Sequence, residues 1–145
     1  MTIDKTGALW RGEDLRDLTD YIRAFRAGGY PVAQVKESIC AQCAGTSFRV
    51  AVDDDEGCGQ RTCVTCGDVA FIADSAHYWP DASPGECACP CGGEVFAVGV
   101  GFALNADNEI RWISLGLRCL TDGTLGVYTD WKIDYSPAAQ LFDQA

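Results

Sequence analysis

Nine cysteines are the residues of this 145-residue chain whose type and spacing can do chemistry. Four of them form two Cys-x-x-Cys pairs, which are separated by 19 residues. Two cysteines three positions apart in a tight turn can aim both sulfurs at one ion, and two such turns complete a tetrahedral site. We therefore predict a first metal site with the ligands Cys40, Cys43, Cys63 and Cys66.

An internal repeat predicts a second metal site. Residues 43–52 match residues 91–100 at an offset of 48, and residues 63–74 match residues 119–130 at an offset of 56. Such self-similarity indicates one structural unit that occurs twice, with eight more residues in the central hairpin of the second copy. Cys91 and Cys119 take the places of Cys43 and Cys63 and are predicted ligands.

The other two ligands of the second site have more than one candidate. Ala88 stands at the place of Cys40 with a cysteine on either side, and Asp122 stands at the place of Cys66. Because zinc in structural sites prefers thiolate to carboxylate, we favour a four-sulfur set. That set is Cys87, Cys89, Cys91 and Cys119, and Asp122 is the alternative ligand in place of Cys87 or Cys89. A degenerate copy without metal is the remaining alternative.

The two Cys-x-x-Cys turns of the first copy resemble those of the zinc-ribbon family, over about residues 37–80. The resemblance implies two cysteine turns at strand ends around one zinc ion, and it implies little about function. With the second copy we expect two zinc ions per chain. Iron is the alternative metal, since four cysteines can also hold a single iron in a rubredoxin-like centre that carries electrons.

Two further residues with reactive side chains stand outside this scheme. Cys58 is predicted to be a bystander, partly exposed on a hairpin. His77 is the only histidine, and a surface or packing role is its simplest interpretation. The sequence contains no glycine-rich phosphate loop and no nucleophile-elbow motif, so we expect a non-enzymatic protein. Hydrolysis at the second site would require an open coordination position at Asp122.

One helix and several short strands are predicted to position these residues. Apolar residues recur at helical spacing between Gly12 and Ala27, with basic residues in the last turn and Gly28-Gly29 after it, which predicts an amphipathic helix packed on a sheet. Alternation and turn residues predict strands at 47–52, 69–73, 95–104, 110–117 and 125–133, and a helical turn at 138–142.

The predicted fold is therefore mainly β, a small metal-stapled α+β protein. It has an N-terminal helix and lead-in strand in residues 1–36, zinc ribbons in 37–84 and 85–136, and a tail in 137–145. In each ribbon the strands are expected to be antiparallel.

Charge and hydropathy indicate the kind of partner. The net charge is −10. The first 36 residues hold six basic and five acidic side chains, which leaves five basic and 16 acidic ones for residues 37–145. Such a surface repels phosphate backbones, which disfavours nucleic acid and a transcription-associated ribbon. We expect a basic partner protein that this chain engages or neutralises. No apolar run is long enough for a membrane span and the N-terminus is unlike a signal peptide, so a cytoplasmic protein is expected.

Overall fold

One α-helix and eight strands make up most of the regular structure of the described residues. The computed structural model describes residues 11–25, 31–107, 109–133, 141 and 145. The elements are α1 (Leu15–Phe25), β1 (Val32–Glu37), β2 (Phe48–Asp53), β3 (Cys58–Cys63), β4 (Val69–Phe71), β5 (Gly85–Glu86), β6 (Phe96–Leu104), β7 (Ile110–Cys119) and β8 (Leu125–Lys132). Two short 3₁₀ helices, Ser75–His77 and Trp79–Asp81, lie between β4 and β5. The predicted mainly β, α+β class is confirmed.

The eight strands form one antiparallel sheet in the order β4-β3-β2-β6-β7-β8, with β1 paired to β6 and β5 paired to β2. Phe48 of β2 lies opposite Phe96 of β6 at the middle of this path, and both side chains are fully buried. We call β1–β4 the first half and β5–β8 the second half. From the Phe48–Phe96 pair, strands β3 and β4 extend in one direction and strands β7 and β8 in the other.

The predicted boundary between residues 84 and 85 falls inside this sheet. The short strand β5 pairs with Ala51 and Val52 of the first half, and β1 pairs with β6 of the second half. The strand that leads into the first cysteine turn of each half therefore pairs with the other half. The two halves share one sheet through these pairings.

On one face of the sheet, side chains from both halves pack into a single hydrophobic core. The indole N–H of Trp131 donates to Asp74 Oδ1 at 3.0 Å, and the Thr129 hydroxyl donates to Asp54 Oδ1 at 2.8 Å. A side chain on Gly57 would place its Cβ 2.7 Å from the Cβ of Trp131. Since glycine alone allows this approach, strand β8 lies against the β2–β3 hairpin and closes the core.

Helix α1 packs on the opposite face, over the second half, as its apolar periodicity predicts. Leu18 and Ile22 are fully buried against strand glycines. A Cβ on Gly101 would lie 2.6 Å from Ile22 Cγ2, so the lack of a side chain there sets how closely the helix can approach. Asp14 caps the first turn by accepting the backbone N–H of Asp17 at 3.1 Å.

Most predicted element positions agree with the structure to within a few residues. The helix begins at residue 15 rather than 12, and the strand predicted at 69–73 ends at Phe71. Strand β3 was not predicted, because its residues are mostly polar or glycine, and β5 was not predicted, because two residues carry no detectable alternation. Residues 26–30, which include the predicted helix stop, and most of the helical turn predicted at 138–142 lie outside the described residues. In the described part of the chain, no helix has the length and apolarity to cross a membrane.

Candidate metal centres

The first centre forms where the two Cys-x-x-Cys turns of the first half meet. The sulfurs of Cys40, Cys43, Cys63 and Cys66 all lie within 4.8 Å of one another. The Cys40–Cys66 and Cys43–Cys63 sulfur distances are both 3.5 Å. A tetrahedron with metal–sulfur bonds of about 2.3 Å has sulfurs about 3.8 Å apart, so the cluster has the size that an ion requires. All four predicted ligands are brought together.

The second centre combines three cysteines with a carboxylate. Ligand atoms of Cys89, Cys91, Cys119 and Asp122 lie within 4.8 Å of one another. The Cys91 and Cys119 sulfurs are 3.7 Å apart, and the Cys89 sulfur is 3.5 Å from Asp122 Oδ1. The sequence left Asp122 as the alternative ligand. The structure brings it into the group.

Cys87, a member of the favoured four-sulfur set, is not part of this group. Its side chain is buried, and its backbone N–H donates to the Val50 carbonyl at 2.8 Å. In the first half, Ser38 donates in the same way to Val98 at 2.9 Å. Cys87 therefore occupies the place of Ser38, a buried residue behind the cysteine turn.

The first cysteine turn of the second half is one residue shorter than that of the first half. This explains why the alignment of the two copies placed Ala88, rather than Cys89, opposite Cys40. The Cys40 N–H donates to the Gly45 carbonyl at 2.9 Å, and the Cys89 N–H donates to the Gly93 carbonyl at 2.8 Å. The two bonded residues are five positions apart in the first loop and four positions apart in the second. Cys89 thus corresponds to Cys40, whereas an ungapped alignment places Ala88 there.

The other cysteine turns have matching backbone hydrogen bonds. The N–H of Gly67 donates to the Cys63 carbonyl, and the N–H of Gly123 donates to the Cys119 carbonyl, both at 2.8 Å. Both glycines have a φ of +79°, a conformation that favours glycine. With the same backbone, position 66 presents a thiol and position 122 presents a carboxylate.

Two glycines in contact with the ligands were missed by the sequence reasoning. A Cβ on Gly45 would lie 3.2 Å from the sulfurs of Cys43 and Cys63, and a Cβ on Gly93 would lie 3.0 Å from the Cys119 sulfur. Both glycines come two residues after a ligand cysteine, at corresponding positions of the repeat. A glycine at the same position in both segments is the sequence signal that could have identified these two residues.

In the first centre, backbone N–H groups and neighbouring thiols shift the pKa values of two cysteines in opposite directions. The backbone N–H of Cys66, with that of Thr65, lowers the pKa of Cys63 to about 6 against the effect of burial. The N–H of Asp68 lowers the pKa of Cys66, but the neighbouring thiols and burial outweigh it and raise this pKa to about 12. Without a metal, one thiolate therefore hinders ionisation of its neighbour. A cation would relieve this repulsion.

The carboxylate of the second centre is held in its ionised form. Thr124 donates its backbone N–H to Asp122 Oδ1 at 3.0 Å, and Arg11 Nη2 lies 3.9 Å from Asp122 Oδ2. The bonds from Thr124, followed by those from Cys119 and Cys89, hold the pKa of Asp122 well below its usual range. The residue is therefore charged and available as a ligand at neutral pH.

The N-terminal segment covers the second centre on one side. The Gly12 N–H donates to the Gly123 carbonyl at 2.8 Å, and Arg11 pairs with Thr124 in a β-bridge. A groove of ≈ 470 Å³ lies beside it. Its lining is Tyr21, Ala88, Pro90, Thr124, Leu125, Gly126, Val127 and Tyr128.

Cys58 and His77 belong to neither centre. Cys58 is fully buried, which corrects the expectation of partial exposure, and burial raises the pKa of its thiol. It stands at the start of β3, outside both groups of candidate ligands. His77 lies exposed on a 3₁₀ helix, with its ring 6.5 Å from that of Tyr78.

Both groups have the composition of a closed tetrahedral metal site, with four side-chain ligands each. Comparisons of this chain with models of protein families, with curated proteins and with solved structures give no match. The function therefore has to be inferred from the two centres and from the surface around them.

Proposed function

We propose that this protein is a zinc-binding, non-enzymatic interaction module whose two ions hold a shared sheet together. The observation that carries the proposal is the pair of four-ligand groups, each with its ligand atoms within 4.8 Å of one another. Structural zinc sites are four-coordinate and sulfur-rich, whereas catalytic sites leave one position to water. Protein side chains fill all four positions in both centres, which favours a structural role over hydrolysis.

The proposal includes descent of the two halves from one zinc-ribbon-like unit. The support is the Phe48–Phe96 pair at the offset of 48, together with hydrogen bonds that recur at corresponding positions. Cys63 lies opposite Phe48 just as Cys119 lies opposite Phe96. These paired positions relate the halves by an approximate twofold axis through the centre of the sheet.

A difference between the halves supports a role in protein interaction. Val69 and Phe71 of β4 are 51% and 38% exposed. At the offset of 56 they correspond to Leu125 and Val127, which pack with helix α1 on the second half. The first half thus leaves an apolar edge strand open to a partner, beside the acidic residues that dominate this part of the chain. A basic protein is the partner that the charge favours.

Elemental analysis and cobalt substitution test the metal-binding function. We expect two zinc ions per chain in protein purified under reducing conditions. Two cobalt ions should give thiolate-to-metal absorption from one S₄ and one S₃O site, and chelation should abolish the native fold because binding energy is folding energy here. A chelated protein that keeps its melting temperature would show that neither ion holds the fold together.

The edge strand offers a test of the interaction role. Protein isolated from its native host with bound partners should be compared with the Val69→Ser/Phe71→Ser variant, using mass spectrometry after crosslinking. The partner should be lost from the variant, while both ions are retained. As a matched control, Val64→Ser changes an exposed apolar residue of a cysteine turn rather than of the edge strand. Retention of the partner by the double variant would move the interaction to another surface.

An iron centre is the second candidate, and it concerns the first half only. Four thiolates suit a single iron as well as zinc, and such a centre would carry electrons. Absorption spectra of freshly purified protein separate the two metals, because iron tetrathiolate is coloured and zinc is not.

A further inference from the structure

Strand β4 is the outer strand of the sheet in the first half, and one of its edges is open. In the described part of the chain, β4 pairs with β3 alone. The Ile72 N–H donates to the Gly59 carbonyl at 3.0 Å, so these two residues are a hydrogen-bonded pair. Because bonded and non-bonded pairs alternate in antiparallel strands, the backbone N–H and C=O groups of Val69 and Phe71 point away from β3. These groups form an edge to which another strand can add.

The side chains along this edge are apolar, and the surrounding charge is negative. Val69 and Phe71 lie on one face of β4, since they are two residues apart, and both are exposed. The Phe71 ring contacts that of Trp79 edge to face, with the centroids 5.5 Å apart. Asp68 directly precedes β4, and residues 37–86 contain nine acidic and two basic side chains. A segment that combines apolar and basic residues complements this edge.

The second half shows what binds at the corresponding edge. Strand β8 is the outer strand there, and the N-terminal segment pairs with its start. The Gly12 N–H donates to the Gly123 carbonyl at 2.8 Å, and Arg11 forms an antiparallel bridge with Thr124. The Arg11 guanidinium lies 3.9 Å from the Asp122 carboxylate. An extended segment with a basic residue therefore binds beside the second centre.

The backbone that receives this segment is preserved in the first half. At the offset of 56, Gly67 and Asp68 correspond to Gly123 and Thr124. Gly67 has the same φ of +79° as Gly123, and it is exposed. Among the described residues, no backbone N–H donates to the Gly67 carbonyl, and no atom lies within 4 Å of a Cβ added there. The same strand addition is therefore sterically open, with an acidic residue in the place of Thr124.

A helix on the open face of the first half fits less well than a strand at its edge. On the second half, Gly99 and Gly116 allow the side chains of α1 to approach the sheet closely. The corresponding positions of the first half are Ala51 and Gln60. Their side chains would hold a helix farther from the sheet. Both residues belong to the inner strands β2 and β3, so they leave the edge of β4 unobstructed.

We propose that the edge formed by residues 67–71 binds an extended basic segment of the partner protein as an added antiparallel strand. This inference rests on the proposed interaction role and names how the partner is recognised. In the register of the N-terminal segment, the partner places a basic side chain opposite Asp68, and its next residue donates an N–H to the Gly67 carbonyl. The residues opposite Val69 and Phe71 are then the first and the third before the basic residue. The complementary motif is apolar-x-apolar-basic.

The test uses the full, zinc-loaded chain, with a phage-displayed library of random nine-residue peptides as the probe. Selected peptides are synthesised, and their affinities are measured by fluorescence anisotropy. Val69→Pro removes an outward N–H but keeps an apolar side chain, and proline is tolerated where the N–H of an edge strand faces solvent. Val69→Ser keeps the N–H and removes the apolar side chain. Asp68→Asn removes the charge, and Val64→Ser is the matched control away from the edge.

N-methylated peptides test the same hydrogen bonds without changing the protein. In the proposed register, the residue after the basic one donates to the Gly67 carbonyl, whereas the N–H of the basic residue itself points away from β4. A methyl group on the first nitrogen should abolish binding. A methyl group on the second nitrogen is the matched control and should leave the affinity unchanged.

The selected peptides should share the apolar-x-apolar-basic motif. Val69→Pro should weaken their binding by about tenfold or more, because it removes a hydrogen bond and obstructs the pairing of the strands. Val69→Ser should weaken binding less than Val69→Pro does. Asp68→Asn should cost about two- to fivefold, as is usual for exposed pairs of opposite charge. Val64→Ser should bind as the wild type does.

Selection of no peptide above background would overturn the inference. Binders that tolerate both Val69→Pro and the first N-methylation would also overturn it, because they would not use the backbone edge. If Val69→Pro does not fold, the methylated peptides decide. A wild-type dimer that dissociates in Val69→Pro, measured by analytical ultracentrifugation, would assign the edge to a second copy of the chain instead of a basic segment.

Failure of this inference can be distinguished from failure of the proposed function. A native partner that is lost from the Val69→Ser/Phe71→Ser variant, in a protein that selects no peptide, would keep the interaction role and reject strand addition. Retention of the native partner by that double variant would instead contradict the interaction surface on which the inference rests.

Discussion

The two centres have nearly the same backbone but differ in ligands and surroundings. The first offers four thiols, whereas the second offers three thiols and an ionised carboxylate. The second is also covered by the N-terminal segment through Gly12 and lies close to the groove beneath Tyr21. On the first half, no atom of the described residues lies within 4 Å of a Cβ added at the corresponding glycine, Gly67.

This difference distinguishes the features that both centres share from the features that depend on their surroundings. Matching turns and close glycines occur in both halves, so the geometry of the ligand cage does not depend on whether the fourth ligand is sulfur or oxygen. The strand glycines against which helix α1 packs lie in the second half, where the side chain of Ile22 fills the space next to Gly101. Consequently, one half is covered by the chain itself and the other keeps an open apolar edge.

The largest effect should come from removing corresponding buried ligands. Cys63→Ser and Cys119→Ser should each reduce the metal content by one ion and destabilise the protein severely, because zinc binding supplies on the order of 10 kcal/mol in small zinc domains. Metal analysis and thermal unfolding measure both effects. Cys58→Ser is the matched control, since Cys58 is buried on the same strand as Cys63 but lies outside the cluster. Loss of an ion from that variant would contradict the assigned ligands.

A second pair of substitutions tests the mixed ligand set. Asp122→Ala should weaken cobalt binding at the second centre by more than the 10- to 100-fold typical of outer-shell changes, since it removes a direct ligand. Cys87→Ser should leave that affinity nearly unchanged, because Ser38 occupies the corresponding place. Asp122→Cys should shift the cobalt spectrum from S₃O towards S₄ and so make the two centres alike. The opposite order of the first two effects would restore the four-sulfur set.

The glycines beside the sulfurs should show a smaller effect. An alanine at position 93 would place its Cβ 3.0 Å from Cys119 Sγ and 2.9 Å from Thr121 Oγ1. We expect a loss of about 1–3 kcal/mol in the stability of the loaded protein, as for other overpacked sites. Gly45→Ala, with contacts of 3.2 Å, should cost less. Gly85→Ala is the control, as no atom of the described part of the chain lies within 4 Å of its added Cβ. Denaturant unfolding of the three variants measures the order.

The smallest difference should appear in the pH dependence of metal binding. Each coordinating thiol must lose its proton, so metal affinity falls as the pH falls. Cys63 has a pKa of about 6, and below that pH the first centre must release one proton more than above it. The second centre has no such change, because Asp122 stays ionised there. Below pH 6 the affinity of the first centre should therefore gain an additional tenfold dependence per pH unit, measured by cobalt absorption. Parallel slopes for the two centres would contradict this.

Local chemistry alone was enough to identify the first centre and most of the elements. Two Cys-x-x-Cys turns specify four ligands whatever surrounds them, because each turn fixes its own sulfurs. The amphipathic periodicity around Leu18 and Ile22 likewise predicted a helix that packs on a sheet. The repeat predicted Cys91 and Cys119 as members of a second centre.

The tertiary structure decided how the halves are joined and which residues complete the second centre. The sequence offers Cys87, Cys89 and Asp122 as candidates for two ligand positions, and the preference for sulfur favoured Cys87, which the structure leaves outside the group. Pairing of β5 with β2 fixes Cys87 behind the turn, and the shorter turn then places Cys89 at the metal position. Cross-strand pairing acts between segments far apart in sequence, so an alignment of the two copies cannot contain it.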